Sequence, residues 1–146
     1  MNFRLIIDKE KNEEVVMVSH SANNFTAKIE NLVLSYSGND EISVMGEDDI
    51  VSIKFSEIEC ITIIDRKLYA INSNREKYRI NQKLCDIEEK LPEYFIRINK
   101  SAIANERKIS SFKAGFSGAV DAIFKCGYKD YVSRRCFAII KRRYGI

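Results

Sequence analysis

Proline is all but missing from this sequence. Pro92 is the only one among 146 residues, and glycine occurs six times. A chain so poor in both has no long flexible or polyproline linker. Histidine is as scarce, with His20 alone. The four cysteines, Cys60, Cys85, Cys126 and Cys136, are scattered, and no CxxC pair exists. A zinc site draws about four clustered ligands, usually in spaced pairs. No metal site is therefore expected, and the thiols read as free and mostly buried. No run approaches the ~18 apolar residues of a membrane-crossing helix. The opening MNFRLIIDKEKNEE lacks a basic start, a long apolar stretch and a cleavage site. No signal peptide is expected, and the compartment reads as the cytoplasm. Also absent are GxGxxG, GxxxxGKS or GKT, HExxH and GxSxG. The adjacent acids Asp48-Asp49 and Glu88-Glu89 read as solvated. The expectation is a protein that is not an enzyme, with no cofactor and no small-molecule substrate.

What is present is a core and an uneven charge. Apolar residues make up 45% of the chain, which argues against disorder and suits one domain with a small extension. Net charge is a modest +3, but its distribution is lopsided. Residues 1–50 hold 4 Lys and Arg against 10 Asp and Glu; residues 51–94 hold 8 against 8; residues 95–146 hold 12 against 3. A basic third with so few acids to neutralise it is the electrostatic footprint of a polyanion partner. The plain alternative is a solvated basic face.

Along the chain, FRLII (3–7) and VVMV (15–18) read as two strands able to pair as a hairpin. In the stretch that follows, Phe25, Ile29, Leu32, Val33 and Tyr36 recur at helical spacing. Ser19 or Ser21 is available as its cap and Gly38-Asn39 as its end. From about Glu41 the texture changes to short strands: ISVM, DIVSIKF, CITII, KLYAI, KYRI, FIRI, AIAN, SFKA, AVDAIFK and YVS. Many alternate apolar and polar residues, the period of half-buried strands. Two helices interrupt or close this series. NQKLCDIEEKL carries Leu84, Ile87 and Leu91 and stops at Pro92. SRRCFAIIKRRYGI carries Phe137, Ile140 and Tyr144, with Ser133 placed to cap it.

Three basic clusters stand out. Asp65-Arg66-Lys67 sits between two strands and reads as a hairpin turn. Arg97 to Lys108 begins within another strand and runs past its end. Ser133-Arg134-Arg135 opens the last helix, where the positive end of the helix dipole disfavours arginine unless an anion shares the site. Pairing of Arg134 or Arg135 with Asp130 is the competing explanation. Lys141, Arg142 and Arg143 lie in the last turn, where cations are ordinary, so helix stabilisation and phosphate contact explain them equally well. Arg97, between Ile96 and Ile98, reads as structural, pairing across the sheet. Asn105 reads as turn or cap chemistry.

FIRINKSAIAN (95–105) together with YVSRRCF (131–137) resembles the LytTR family of bacterial DNA-binding domains. DIEEKLPEYF resembles the short helix that leads into that strand, and ECITIIDRKLYAI the family's earlier hairpin. The resemblance covers about residues 41–146. Asn99 stands where the family often has His, and Cys136 where Tyr is common. The resemblance implies an α+β, β-dominated fold, elongated and built of small sheets with short helices. It implies contact with successive major grooves of duplex DNA through turns and the start of the last helix. The matching positions are Arg66 and Lys67, Asn99 and Lys100, and Arg134 and Arg135. Arg and Asn side chains suit guanine and adenine edges, while Ser101 and Ser133 are short donors suited to phosphates.

The chain looks like the free-standing type without a receiver domain. Its residues 1–40 form a strand-and-helix extension, read as a homodimerisation element, before a DNA-binding domain at 41–146. Such relatives often accompany small membrane proteins, which makes a membrane-protein partner conceivable; no residue here points to one. The rival expectation is a dimeric protein-interaction adaptor that keeps the fold without specific DNA binding. RNA binding would favour exposed stacking aromatics. Only Tyr128 and Tyr131 are candidates.

Overall fold

The short alternating strands build two antiparallel sheets in the computed structural model, which describes residues 4, 6, 10, 15–35, 41–115 and 118–146. The chain divides into two units, residues 1–38 and 39–146.

In the first unit, helix α1 runs Asn24–Ser35. Its cap is Asn23, not Ser19 or Ser21. The Asn23 side-chain oxygen accepts from the Thr26 N–H (3.0 Å), and the Thr26 hydroxyl oxygen accepts from the Asn23 N–H (2.9 Å). This reciprocal pair satisfies two main-chain donors at once, as a capping box does. Ser19 is occupied elsewhere, donating to the Ser21 carbonyl (2.9 Å). The strand expected at 15–18 is not formed: Val15 to Val18 are irregular and exposed. A β-branched run gains strand geometry only by pairing, and the other half of the expected hairpin, 3–7, lies largely outside the described residues. Val15 and Met17 instead line a groove with Ile29 and Val33 of α1.

The second unit has the β-dominated α+β architecture expected. Its strands are β1 (Glu41–Met45), β2 (Ile50–Lys54), β3 (Ile58–Ile64), β4 (Lys67–Asn72), β5 (Lys77–Ile80), β6 (Phe95–Asn99), β7 (Ala102–Asn105), β8 (Ile109–Ala114), β9 (Val120–Phe124) and β10 (Lys129–Val132). Helix α2 (Leu84–Glu88) lies between β5 and β6, and α3 (Arg134–Arg143) follows β10. One sheet has the order β2-β1-β5-β4-β3-β7-β6 and the other β10-β9-β8.

Two cores follow from the alternation. Ile42, Val44, Ile53, Ile58, Ile61, Leu68 and Ile103 pack with Leu84 and Ile87 of α2 on one face of the large sheet. On the other face, Cys60, Ile96, Ile98, Ala102 and Ala104 meet Ala122 and Phe124 of β9, Val132 of β10 and Ile140 of α3. The small side chains of Cys60, Ala102, Ala104 and Ala122 let the two sheets approach. Phe124 is buried there, and truncating such a residue costs about 3–5 kcal/mol.

A bulge makes β3 serve both cores. Pairing with β4 shifts between Ile58 and Cys60. Ile58 and Ile61 therefore share one core while Cys60 enters the other. The extra residue, Glu59, is 1% exposed. Its carboxylate accepts from the Ser73 hydroxyl (3.1 Å) and the Cys126 N–H (3.4 Å), with Lys108 Nζ at 4.0 Å. These partners tie the two sheets together.

Candidate nucleic-acid interface

Strand registers gather the three basic clusters at one end of the large sheet. Thr62 of β3 pairs with Ala102 of β7, antiparallel, so the end of β3 lies beside the start of β7. The β3–β4 turn and the β6–β7 turn are thereby neighbours. The Ser133 N–H donates to the Ile98 carbonyl (2.8 Å), which brings the start of α3 to β6.

The first turn is a two-residue loop, because Ile64 pairs directly with Lys67. Both loop residues have positive φ, 49° at Asp65 and 66° at Arg66. That is the primed turn whose twist suits a hairpin. The second position normally takes glycine, and an arginine there costs about 1–2 kcal/mol. Arg66 and Lys67 are exposed at the tip.

The second turn holds Lys100 and Ser101. Arg97 clamps it from within: Nε donates to the Asn99 carbonyl (2.8 Å), Nη2 to the Lys100 carbonyl (2.7 Å) and Nη1 to Glu88 (2.7 Å). Arg97 is thus structural, as expected, but it braces the turn against α2 instead of pairing across the sheet. Lys100 is exposed and Ser101 half-buried.

Asn99 is placed differently from the exposed donors around it. It is 1% exposed. Its amide nitrogen donates to the Tyr131 carbonyl (2.8 Å) and to Asp130 Oδ1 (3.3 Å), and its oxygen accepts from the Ser101 N–H (2.8 Å). Both amide hydrogens are engaged inside the protein. Asn105 is likewise internal: it donates to the Ile58 carbonyl (2.9 Å) and accepts from the Arg107 N–H (3.1 Å), the turn chemistry expected of it.

The third element is the start of α3. Ser133 caps it, its Oγ accepting from the Cys136 N–H (3.2 Å). The hydroxyl proton remains able to donate outward. Arg134 and Arg135 are exposed, and among the described residues neither forms an ion pair; Asp130 is taken by other donors. A groove of about 630 Å³ brings Lys100, Ser133 and Arg135 together with Arg97 and Arg143, with no acid in its lining. Arg134 and Lys141 line a second groove on the other flank of α3, of about 510 Å³. The far end of α3 is anchored: Arg143 pairs with Glu106 (3.1 Å).

Burial dominates the titration of the nearby groups whose shifts stand out. Burial pushes the Cys60 thiol up, and the Asp130, Cys126 and Glu59 charges add to it. Burial also raises Cys126. Thiols held protonated are poor nucleophiles. Tyr128 is raised by burial and then by the Asp130 carboxylate. Among the described residues, no three His, Cys, Asp or Glu side chains are grouped to hold a metal, and no helix is long and apolar enough to cross a membrane.

The sequence assigned no role to Glu59, and it offered Asp130 only as a partner for Arg134 or Arg135. Asp130 had a signal: it is one of only three acids in residues 95–146.

Residues 48–145 match the LytTr DNA-binding domain family. An uncharacterized HTH-type transcriptional regulator of Staphylococcus aureus strain MSSA476 is 27% identical over the whole chain and 99% of its own length. Another of that description, from strain NCTC 8325, is 32% identical over 68% of this chain and 67% of its own. Among solved structures, the LytTr DNA-binding domain of a methyl-accepting/DNA response regulator from Bacillus cereus superposes with a TM-score of 0.68 at 20% identity, over 75% of this chain and all of that one.

Proposed function

The chain belongs to the LytTr DNA-binding domain family, and from that membership and the geometry of its turns we propose a sequence-specific regulator of transcription that binds double-stranded DNA. The carrying observation is the convergence of Arg66-Lys67, Lys100-Ser101 and Ser133-Arg134-Arg135 at one end of a rigid sheet. The acidic β1–β2 loop, Glu47 to Asp49, heads towards the opposite end of that sheet, as the pairing of Met45 with Arg79 requires. A polyanion approaching this unit is attracted to one end and repelled from the other.

In this proposal Arg66, Lys67, Lys100, Arg134 and Arg135 enter successive major grooves, and Ser101 and Ser133 donate to phosphates. Asn99 acts by positioning, because its amide is spent on Tyr131, Asp130 and Ser101. The described residues contain no two consecutive helices, so contact is made through turns and the start of α3, not through a helix-turn-helix. The strain of Arg66 supports its place here, since left-handed non-glycine residues concentrate at functional sites.

The test is selection of bound duplexes from a random DNA pool at near-physiological salt, with wild type and Arg135→Ala in parallel. A repeated motif enriched by wild type and blurred by the variant is expected. No enrichment by folded protein would overturn the proposal and leave the adaptor reading.

The proposed protein is a cytoplasmic homodimer, joined through its first unit. Val16, Val18 and Phe25 are exposed there, Val18 at 92%, and such apolar surface favours a second copy. A monomer by sedimentation at about 50 μM, where a dimer of roughly micromolar Kd is mostly assembled, would overturn this part.

A further inference from the structure

Asp130 is an acid where acids are scarce and beside a surface read as meeting phosphates. Left bare, its charge would oppose that contact. It is not bare. Its Oδ1 accepts from the Tyr131 N–H (2.8 Å) and from the Asn99 amide (3.3 Å); its Oδ2 accepts from the Thr62 hydroxyl (3.2 Å) and the Tyr128 phenol (3.4 Å). These donors belong to β3, β6, β10 and the β9–β10 connection. Thr62 and Asn99 are both buried. The carboxylate is thus a four-way node under the place where β6, β10 and α3 meet.

The geometry of that node reaches the contact surface through one short path. Asn99 binds Asp130 and the Tyr131 carbonyl with its nitrogen, and its oxygen holds the Ser101 N–H. Lys100 lies between Asn99 and Ser101. Arg135 lies four residues beyond Tyr131, past the Ser133 cap. We propose that Asp130, acting through Asn99, is a positioning residue that fixes the spacing between the Lys100 turn and the Arg135 end of α3, and so sets sequence discrimination. This rests on the DNA-binding proposal above. Two base-reading groups on separate elements discriminate only if their separation is held; phosphate contacts tolerate a loose one.

The test compares affinity for the selected duplex with affinity for a random duplex, together with the salt dependence of each. Asp130→Ala is expected to lower the specific-to-random ratio by about tenfold, the scale of one lost base-pair contact, with the salt slope unchanged because no phosphate contact is removed. Asp130→Asn keeps an acceptor for Tyr131 and Asn99 and is expected to hold the ratio within about threefold. A collapse as deep as that of the alanine variant would move the effect from geometry to charge and overturn the inference. An unchanged ratio in Asp130→Ala, with a discriminating wild type, overturns this inference alone. A wild type that does not discriminate overturns the regulator proposal and this inference with it. Should Asp130→Ala not fold, the wild-type protein still decides: the Asn99 side-chain amide hydrogens should exchange many times more slowly than those of exposed Asn74, and equal exchange overturns the inference.

Discussion

The main-chain N–H of Ile63 donates to the carbonyl of Ser101 at 2.9 Å. The last stretch of β3 is thereby fastened to the first residue after Lys100. Two turns 35 residues apart in sequence, at Asp65-Arg66 and Lys100-Ser101, become one surface, and neither can swing without the other. Binding determinants on such a frame are preorganised, so their removal should be read in affinity more than in stability.

Arg135→Ala should cost about 1–3 kcal/mol of specific binding and relax preference at one base pair. Lys141→Ala should weaken all sequences alike, because its place on the flank of α3 suits phosphate contact. Titrations of both variants against the selected and random duplexes separate the two behaviours. A uniform loss in Arg135→Ala would remove it from the base-reading set.

Arg66→Gly should stabilise the fold by about 1 kcal/mol, by relieving the left-handed backbone at φ 66°. The same change should weaken DNA binding. Denaturant unfolding and duplex titration together would show stability and binding moving in opposite directions. Loss of both would mean that Arg66 is held there for the fold.

Ser133→Ala removes the α3 cap and should destabilise by about 1 kcal/mol. Thermal unfolding measures it. Ser133→Asp should restore the cap but weaken DNA binding, since it sets a negative charge beside Arg134 and Arg135.

Tyr144 is pushed up to about 12 by burial and by its hydrogen bond to Glu106. An unfolded tyrosine titrates near 10. The neutral phenol therefore favours the fold fully below pH ~10, and that contribution is lost as pH rises from there towards 12. Stability measured between pH 9 and about 12 should fall less steeply in Tyr144→Phe than in wild type. Identical slopes would remove Tyr144 from the alkaline transition.

Much of this architecture was legible because it rests on local rules. Ile42 and Val44 alternate with exposed neighbours in β1 as half-buried strands do. The hairpin at Asp65-Arg66 and the cap at Ser133 were both readable from residue type and spacing. The contents of the joints were not. Asn99 looked like a surface donor, since nothing nearby in sequence says that Asp130 and Tyr131 lie over it. Glu59 lay outside the strand read from the sequence, which began at Cys60, and a bulge turns it inward. Val15 to Val18 had the composition of a strand without a partner among the described residues. Each case depends on a contact between distant segments, where local preference carries no information.

Strand β7 is buried on every residue, with Ile103 in one core and Ala102 and Ala104 in the other. The two cores therefore have a common wall four residues long. Melting either face exposes the strand that the other is built on, so neither can persist as a partly folded intermediate. Residues 39–146 should lose structure in one cooperative step, and hydrogen exchange in β3, β7 and β9 should report the same opening free energy.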